Sequence, residues 1–152
     1  MPGDLSEEQL AAYFALRGAS DRLQRAVTRH LRGHDLTEVQ FAILAQLGTA
    51  VGAEGIAVDG VAMGDLARRL VITKSGLSYQ AGQLEARGLI VRRGSEADER
   101  AILVSLTGAG RELLAQVMPG HIALVRELFI DRVAAADLAT IRQVLQRIAT
   151  DR

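Results

Sequence analysis

The sequence of 152 residues has no cysteine, only 3% aromatic residues and no long apolar run. Without cysteine the chain cannot form disulfides, thiolate metal sites or a cysteine nucleophile, and it cannot sense oxidants through a thiol. No apolar run approaches the roughly eighteen residues that a membrane span needs, and the first residues do not have the pattern of a secretory signal. We therefore expect a cytoplasmic protein that does not associate with a membrane.

The composition is that of one globular domain. Apolar residues make up 49% and charged residues 24% of the chain, which argues against disorder. The length fits a single domain over residues 1–152. The glycines of residues 48–64 form neither a dinucleotide-binding motif nor a phosphate loop, so we expect no cofactor.

Charge is balanced overall but is distributed unevenly. Eighteen basic and eighteen acidic residues give a net charge of zero, which does not by itself favour binding to nucleic acid. Residues 1–16 and 35–62 contain acids and no base, whereas residues 63–112 hold eight bases against six acids. The middle of the chain is therefore mildly positive.

Hydrophobic periodicity predicts two helices at the start of the chain. The first is a long amphipathic helix over residues 7–32. Thr37 and Gln40 have the spacing of a capping box, which predicts that a second helix begins there. The glycine-rich residues 48–64 are interpreted as a loop. A short strand within that loop is expected at Ile56–Val58 and Val61.

The next segment predicts two short helices joined by a tight turn. The first covers residues 65–70, and Thr73 is a suitable N-cap for the second, over residues 74–87. Gly88 is well placed to end that helix in the left-handed conformation. Two β-prone segments then predict a hairpin, formed by residues 89–92 and 101–106 around the polar loop 94–100.

Two further helices complete the chain. Thr107 is a candidate N-cap for the first of them, and Pro119 and Gly120 are expected to kink or interrupt it. Apolar residues at helical spacing predict a last helix that includes residues 138–148. The fold class is therefore mainly α with a small β-hairpin wing (α+β), a winged helix-turn-helix domain with flanking helices.

Two short helices followed by a hairpin form an arrangement that suits double-stranded DNA. The second helix fits the major groove, and the hairpin, or wing, reaches the neighbouring minor groove. Arg92 and Arg93 lie on a strand whose side chains alternate, so one is expected to be structural and the other, Arg93, to face DNA. The candidate DNA-binding residues of the second helix, whose side chains donate hydrogen bonds, are Thr73, Lys74, Ser75, Ser78, Tyr79 and Gln80.

Several short motifs, taken in order, resemble those of the MarR family of transcriptional regulators. They cover residues 36–114, and the flanking helices are similar by pattern. Each motif is weak alone, and their common order makes the resemblance specific. The motifs are Leu36-Thr-x-x-Gln40, Asp65-Leu-Ala67, Val71-x-Thr73-Lys-Ser75, Leu84-Glu-Ala-Arg-Gly-Leu89, Arg92-Arg93, Asp98-x-Arg100 and Leu106-Thr-x-x-Gly110-Arg.

The resemblance implies a homodimer in which helices of about residues 7–32 and 108–150 flank a winged domain of about residues 36–107. Each protomer would bind one half of a pseudo-palindromic operator. The resemblance also implies that Asp98 braces Arg100, whose guanidinium enters the minor groove from the wing tip. The resemblance further implies that the protein is a repressor. A small aromatic or phenolic ligand would release it from DNA.

Alternatives remain for the function and for the histidines. The neutral charge and Tyr79-Gln80, where family members often carry an arginine, also fit a winged-helix dimer that has lost DNA binding and acts as a protein-interaction or ligand-sequestering module. No spacing predicts the catalytic groups of an enzyme. Zinc binding by histidines is the less favoured interpretation. The alternative is that they lie in solvent near a helix end, where a histidine interacts favourably with the helix dipole. The histidines are His30, His34 and His121.

Overall fold

The computed structural model describes residues 4–49 and 60–149. The helices and the hairpin follow in the predicted order, and the predicted α+β class is confirmed. The helices are α1 (Glu7–Arg32), α2 (Glu38–Thr49), α3 (Met63–Leu70), α4 (Lys74–Ala86), α5 (Gly108–Leu128) and α6 (Ala135–Ala149), with a 3-10 turn at Ile130–Arg132. The strands are β1 (Val61–Ala62), β2 (Ile90–Gly94) and β3 (Ile102–Leu106).

The chain forms two compact units, which are described separately. The winged unit is Thr28–Gly120, and the helical unit combines Met1–Val27 with His121–Arg152. The core of the winged unit is aliphatic, as the scarcity of aromatic residues requires. Its fully buried large side chains are Leu31, Ile43, Leu44, Leu66, Leu77, Leu84, Ile90, Val104 and Val117.

Threonine side chains cap three helices of the winged unit. Gln40 donates its backbone N–H to Thr37 Oγ1 at 3.1 Å, and Thr37 donates its own to Gln40 Oε1 at 3.2 Å, which completes the predicted capping box. Thr73 Oγ1 accepts from the N–H of Gly76 at 3.1 Å. Thr107 Oγ1 accepts from the N–H of Gly110 at 3.0 Å. Local hydrogen bonds thus set where α2, α4 and α5 begin.

The C-terminal end of α4 also follows the prediction. Gly88 is in the left-handed conformation with φ of 72°, which a residue without Cβ adopts readily. Leu89 is buried, and its N–H donates to the carbonyl of Leu84 at 3.0 Å. The helix itself ends at Ala86, one residue before the predicted end.

The hairpin belongs to a three-stranded antiparallel sheet in the order β1-β3-β2. Ile90 pairs with Leu106 across the hairpin, and Val61 pairs with Val104 on the other side of β3. Gly60 precedes β1 with φ of 121°, and a Cβ there would lie only 2.8 Å from the carbonyl oxygen of Val104. β1 therefore approaches β3 more closely than a side chain at this position would allow.

The predicted loop over residues 48–64 is too long at both ends. α2 extends to Thr49, and α3 begins at Met63, two residues before its predicted start. Val61 lies in a strand as predicted, and the expected strand at Ile56–Val58 falls outside the described residues. β1 is held in the sheet by its pairing with β3, a partner that lies more than 40 residues away in the sequence.

Pro119 and Gly120 were expected to kink or interrupt the helix, and an interruption is excluded because α5 continues through both residues. A Cβ on Gly120 would overlap the ring of His30, so the glycine lets that ring pack against the helix. His30 Nε2 also lies 3.0 Å from the carbonyl oxygen of Val117, within hydrogen-bond distance. Tertiary packing therefore offsets the local cost of a Pro-Gly pair inside the helix.

The helical unit leaves many apolar side chains on its surface. None of its described residues is buried, and Phe14 and Ile148 remain 65% and 58% exposed. A monomeric protein rarely exposes so much apolar surface. The exposed large apolar residues of this unit are Leu5, Leu10, Tyr13, Phe14, Leu16, Ile122, Val144, Leu145 and Ile148.

One segment, Gly108–Arg132, has the length and composition that would allow a helix to cross a membrane. The sequence interpretation expected no such segment. Its residues Gly110 and Val117 are buried in the winged unit. A single helix of this kind is weak evidence for a membrane span, because the core helix of a soluble protein can have the same length and composition.

Candidate nucleic-acid interface

The recognition helix, α4, presents one face to the core and the opposite face to solvent. Its buried residues Leu77, Ala81 and Leu84 recur at helical spacing. The polar residues predicted to contact DNA occupy the remaining positions of its first two turns. Thr73, Lys74, Ser75, Ser78 and Tyr79 are all exposed.

The turn between α3 and the recognition helix has an unusual backbone. Val71 is left-handed with φ of 54°, and its side chain is 89% exposed. This conformation is rare for a β-branched residue. The Val71 N–H donates to the carbonyls at the end of α3, Ala67 and Arg68. These bonds close the tight turn that sets the direction of the recognition helix.

A cleft of about 410 Å³ separates the start of the recognition helix from the wing. Four of the predicted DNA-binding residues line it: Lys74 and Ser78 from the helix, and Asp98 and Arg100 from the wing. Arg92 and Asp65 also line the cleft, and Asp65 forms an ion pair with Arg68. Lys74 and Arg100 therefore bring cationic side chains to one concave surface from two separate elements, while the third cation, Arg92, is paired with Glu85. Such a surface suits an anionic ligand with many oxygen acceptors.

The wing tip is held by its own hydrogen bonds. Asp98 Oδ1 accepts the backbone N–H of Arg100 at 3.0 Å, and the Asp98 carbonyl accepts that of Ala101 at 3.0 Å. Ser95 Oγ accepts the N–H groups of Ala97 and Asp98, both at 3.3 Å. Asp98 thus holds the main chain of Arg100 in place. The carboxylate shapes the turn, and the exposed Arg100 side chain projects from it.

Arg92 and Arg93 occupy different environments on β2. Arg92 is half-buried, and its guanidinium binds Glu85 of the recognition helix at 3.1 Å. Arg93 is exposed. Because side chains alternate along the strand, Arg92 packs against the recognition helix, where it has a structural role, and Arg93 lies at the surface. The hydrogen bonds from Arg92 lower the pKa of Glu85 below its ordinary value of 4.5.

Tyr79 and Gln80 differ in orientation although they are adjacent. Tyr79 is 64% exposed, and its hydroxyl accepts a hydrogen bond from Gln83 Nε2 at 2.9 Å. Gln80 is half-buried, and its Oε1 is buried with no hydrogen-bond partner among the described residues. The oxygen of Gln80 is therefore turned away from solvent in the free protein, and a contact of Gln80 with DNA stays a prediction.

Two contacts that support this surface have no counterpart in the sequence analysis. Glu85 binds Arg92, and the buried Gln40 donates to Gln83 at 3.0 Å. Gln40 was identified only as part of a capping box. No local pattern indicates its second partner, because the two glutamines are 43 positions apart.

The histidines belong to no larger cluster of possible metal ligands in the part of the chain that the structure describes. No group of three or more metal-ligating side chains occurs among those residues. The rings of His30 and His34 contact each other edge to face, with centroids 5.2 Å apart. His30 takes part in packing against α5, a role that the sequence did not predict.

Comparisons with known proteins point to one family. A family model described as the MarR family matches residues 34–101. The transcriptional activatory protein BadR of Rhodopseudomonas palustris is 34% identical over 107 residues, which cover 68% of this chain and 58% of BadR. The chain thus spans little more than half the length of that relative.

Two solved structures from Streptomyces coelicolor match nearly the whole chain. AbsC, a MarR family transcriptional regulator, has a TM-score of 0.87 at 32% identity, covering 96% of this chain and 95% of AbsC. Sco3205, a MarR family regulator solved in complex with DNA, has a TM-score of 0.86 at 25% identity, covering 96% of this chain and 92% of Sco3205.

Proposed function

This chain belongs to the MarR family of transcriptional regulators, and on that basis we propose that it is a homodimeric repressor that binds a pseudo-palindromic DNA operator. Its relatives are transcriptional regulators and not enzymes, and we propose that this chain has no catalytic activity. A regulator that binds chromosomal DNA acts in the cytoplasm of a bacterium, which is where we propose that it resides.

The observation that carries the proposal is the cleft between the recognition helix and the wing. Lys74 and Arg100 reach it from two separate elements, and Ser78 adds a hydroxyl donor. Cationic and hydroxyl groups arranged in this way match phosphate oxygens and the acceptors of base edges. Thr73 and Ser75 lie at the start of the helix, where they would contact phosphates. Arg93 would add a phosphate contact from the wing.

Binding to DNA of this kind has a measurable dependence on salt. Fragments that the full-length protein selects from random DNA would be titrated at several salt concentrations. The affinity is expected to fall steeply as salt rises, because each neutralised phosphate releases a counterion. Lys74→Ala is expected to reduce the slope by about one for each protomer. A chain that selects no fragment, or binds without salt dependence, is the non-DNA interaction module instead.

Release from DNA by a small aromatic or phenolic ligand completes the proposed mechanism. A ligand acts only through different affinities for the DNA-binding and non-binding states of the dimer. The test adds benzoate, salicylate and 4-hydroxybenzoate to the complex with a selected fragment. Concentration-dependent release by one of them supports the proposal, and equal occupancy with all three argues against this ligand class.

A further inference from the structure

Three side chains of the winged unit form a continuous line of hydrogen bonds from its core to the exposed face of the recognition helix. Gln40 of α2 is 5% exposed and donates from Nε2 to Gln83 Oε1 at 3.0 Å. Gln83 donates from its own Nε2 to the Tyr79 hydroxyl at 2.9 Å, one helical turn away. We name Gln40, Gln83 and Tyr79 the glutamine relay. It links a capping residue to a side chain that faces solvent.

The direction of the glutamine relay follows from its inner end. The backbone N–H of Thr37 can only donate, so the Gln40 atom that meets it at 3.2 Å must be the amide oxygen. The amide nitrogen of Gln40 therefore faces Gln83, and the oxygen of Gln83 must face Gln40. This leaves the amide nitrogen of Gln83 toward Tyr79. A main-chain donor thus fixes the orientation of two successive side-chain amides.

We propose that the glutamine relay makes the Tyr79 hydroxyl a hydrogen-bond donor toward DNA, with Gln40 and Gln83 as positioning residues. Because the hydroxyl oxygen accepts from Gln83, its proton is left to point outward. The partner is an acceptor: a phosphate oxygen, or an acceptor of a base edge in the major groove such as purine N7. The inference rests on the proposed function, since it assigns a role within DNA recognition.

The polarity of the relay matters most in the complex. Tyr79 and Gln83 are exposed in the free protein, where water competes for both groups. Binding to DNA excludes water and strengthens the remaining hydrogen bonds. If the Tyr79 hydroxyl proton pointed inward, the hydroxyl oxygen would face the acceptor atoms of DNA. Two acceptors cannot form a hydrogen bond, so the contact would be lost. The buried Gln40 therefore influences DNA binding without approaching DNA.

Two nearly isosteric substitutions reverse the relay. Gln83→Glu places an acceptor opposite Tyr79, so the hydroxyl proton turns inward. Gln40→Glu keeps an acceptor for Thr37, as glutamate does in a capping box. Its second oxygen then faces Gln83, which must turn its amide nitrogen inward and its oxygen toward Tyr79. The same reversal is thus produced from a buried position on another helix.

The test is a double-mutant cycle with a fragment selected from random DNA by the full-length parent, at one salt concentration. Tyr79→Phe removes the donor and is expected to weaken binding about tenfold or more. Gln83→Glu and Gln40→Glu are each expected to weaken binding by a similar or larger factor when Tyr79 is present. When each is combined with Tyr79→Phe, it is expected to weaken binding by a further factor of about three or less. This smaller loss reports the effect of the added negative charge alone. A structural defect would give the same loss with and without the tyrosine hydroxyl.

Chemically altered DNA identifies the acceptor. Single 7-deazapurines remove one base N7 each, and single methylphosphonates remove one phosphate charge each. One such position is expected to weaken binding of the parent but not of Tyr79→Phe. If no position behaves in this way, Tyr79 does not donate to DNA.

The outcomes separate the relay from the proposed function. If the parent selects no DNA, the proposed function fails and the donor role fails with it. If the parent binds but the glutamate substitutions weaken binding equally in the parent and in the Tyr79→Phe variant, only the relay is overturned. Urea unfolding of each variant reports folding. Should Gln40→Glu fail to fold, Gln83→Glu at its exposed position decides the result.

Discussion

The Glu85 carboxylate accepts three hydrogen bonds from Arg92 and thereby joins the recognition helix to the first strand of the wing. Oε2 accepts the backbone N–H at 2.9 Å, and Oε1 accepts Nη2 at 3.1 Å and Nε at 3.3 Å. One carboxylate thus fixes both the main chain and the guanidinium of Arg92. The base of the wing cannot rotate away from the helix without breaking these bonds.

Glu85→Gln is expected to destabilise the protein at neutral pH by about 1 kcal/mol, since the pair is partly exposed and screened by solvent. The pKa of Glu85 is lower in the folded protein than its ordinary 4.5. The stability that the ionised Glu85 contributes is therefore complete above 4.5 and is lost as pH falls through the pKa of the folded protein. Urea unfolding of parent and variant at pH 7 and below pH 4.5 measures the difference. Glu99→Gln, in the exposed wing loop, serves as the control.

Arg100→Ala is expected to weaken binding to every operator by about 1–3 kcal/mol per wing, while base preference at the centre of each half-site is retained. An arginine in a minor groove responds to groove width and not to a base code. Asp98→Ala is expected to act in the same direction but more mildly, because it loosens the main chain that carries Arg100 and also removes a charge that repels DNA. Binding to a library of half-site and flank variants measures both effects.

Glu99→Ala is the matched control for the wing variants, since it removes a neighbouring exposed acid but leaves Arg100 in place. It is expected to bind DNA at least as tightly as the parent. If Arg100→Ala binds all operators with unchanged affinity, the wing does not contact DNA.

Leu145→Asp is expected to convert the dimer to monomer, as measured by light scattering. Within the helical unit, Leu145 lies in an apolar groove of α6 with Phe129, Leu138, Ile141 and Ala149. A charge in such a surface is costly once a second subunit covers it. Thr140→Asp, an exposed position of the same helix outside the groove, is expected to remain dimeric. Dimers of both variants would show that this groove is not the interface.

Gly110→Ala is expected to destabilise the protein by about 1–3 kcal/mol through overpacking. A Cβ at this position would overlap the carbonyl oxygen of Leu89, a main-chain atom that cannot move aside easily. Gly108→Ala, two residues earlier, meets nothing within 4 Å. It is expected to be neutral or more stable by up to about 1 kcal/mol. Urea unfolding of the two variants compares them directly, and equal stabilities would contradict the close packing of α5 on Leu89.

Local signals explain why so much of the fold could be predicted. Thr37, Thr73 and Thr107 cap the N–H groups three residues later, and Gly88 ends a helix because of its own backbone conformation. Each signal acts within one helical turn, so it is visible in a short stretch of sequence. The burial of the Gln80 side-chain oxygen could not be predicted in this way, because it depends on the packing of the whole helix.

By itself the sequence determined the order of the elements, the aliphatic character of the core and the polar start of the recognition helix, since periodicity and capping depend on neighbouring residues. Only the tertiary structure decided which distant groups meet. Gln40 reaches Gln83 across 43 positions, and His30 reaches Val117 across 87, where packing keeps α5 helical through Pro119. These contacts arise when separate elements pack together, and a buried polar group must then find its partner wherever the chain places one.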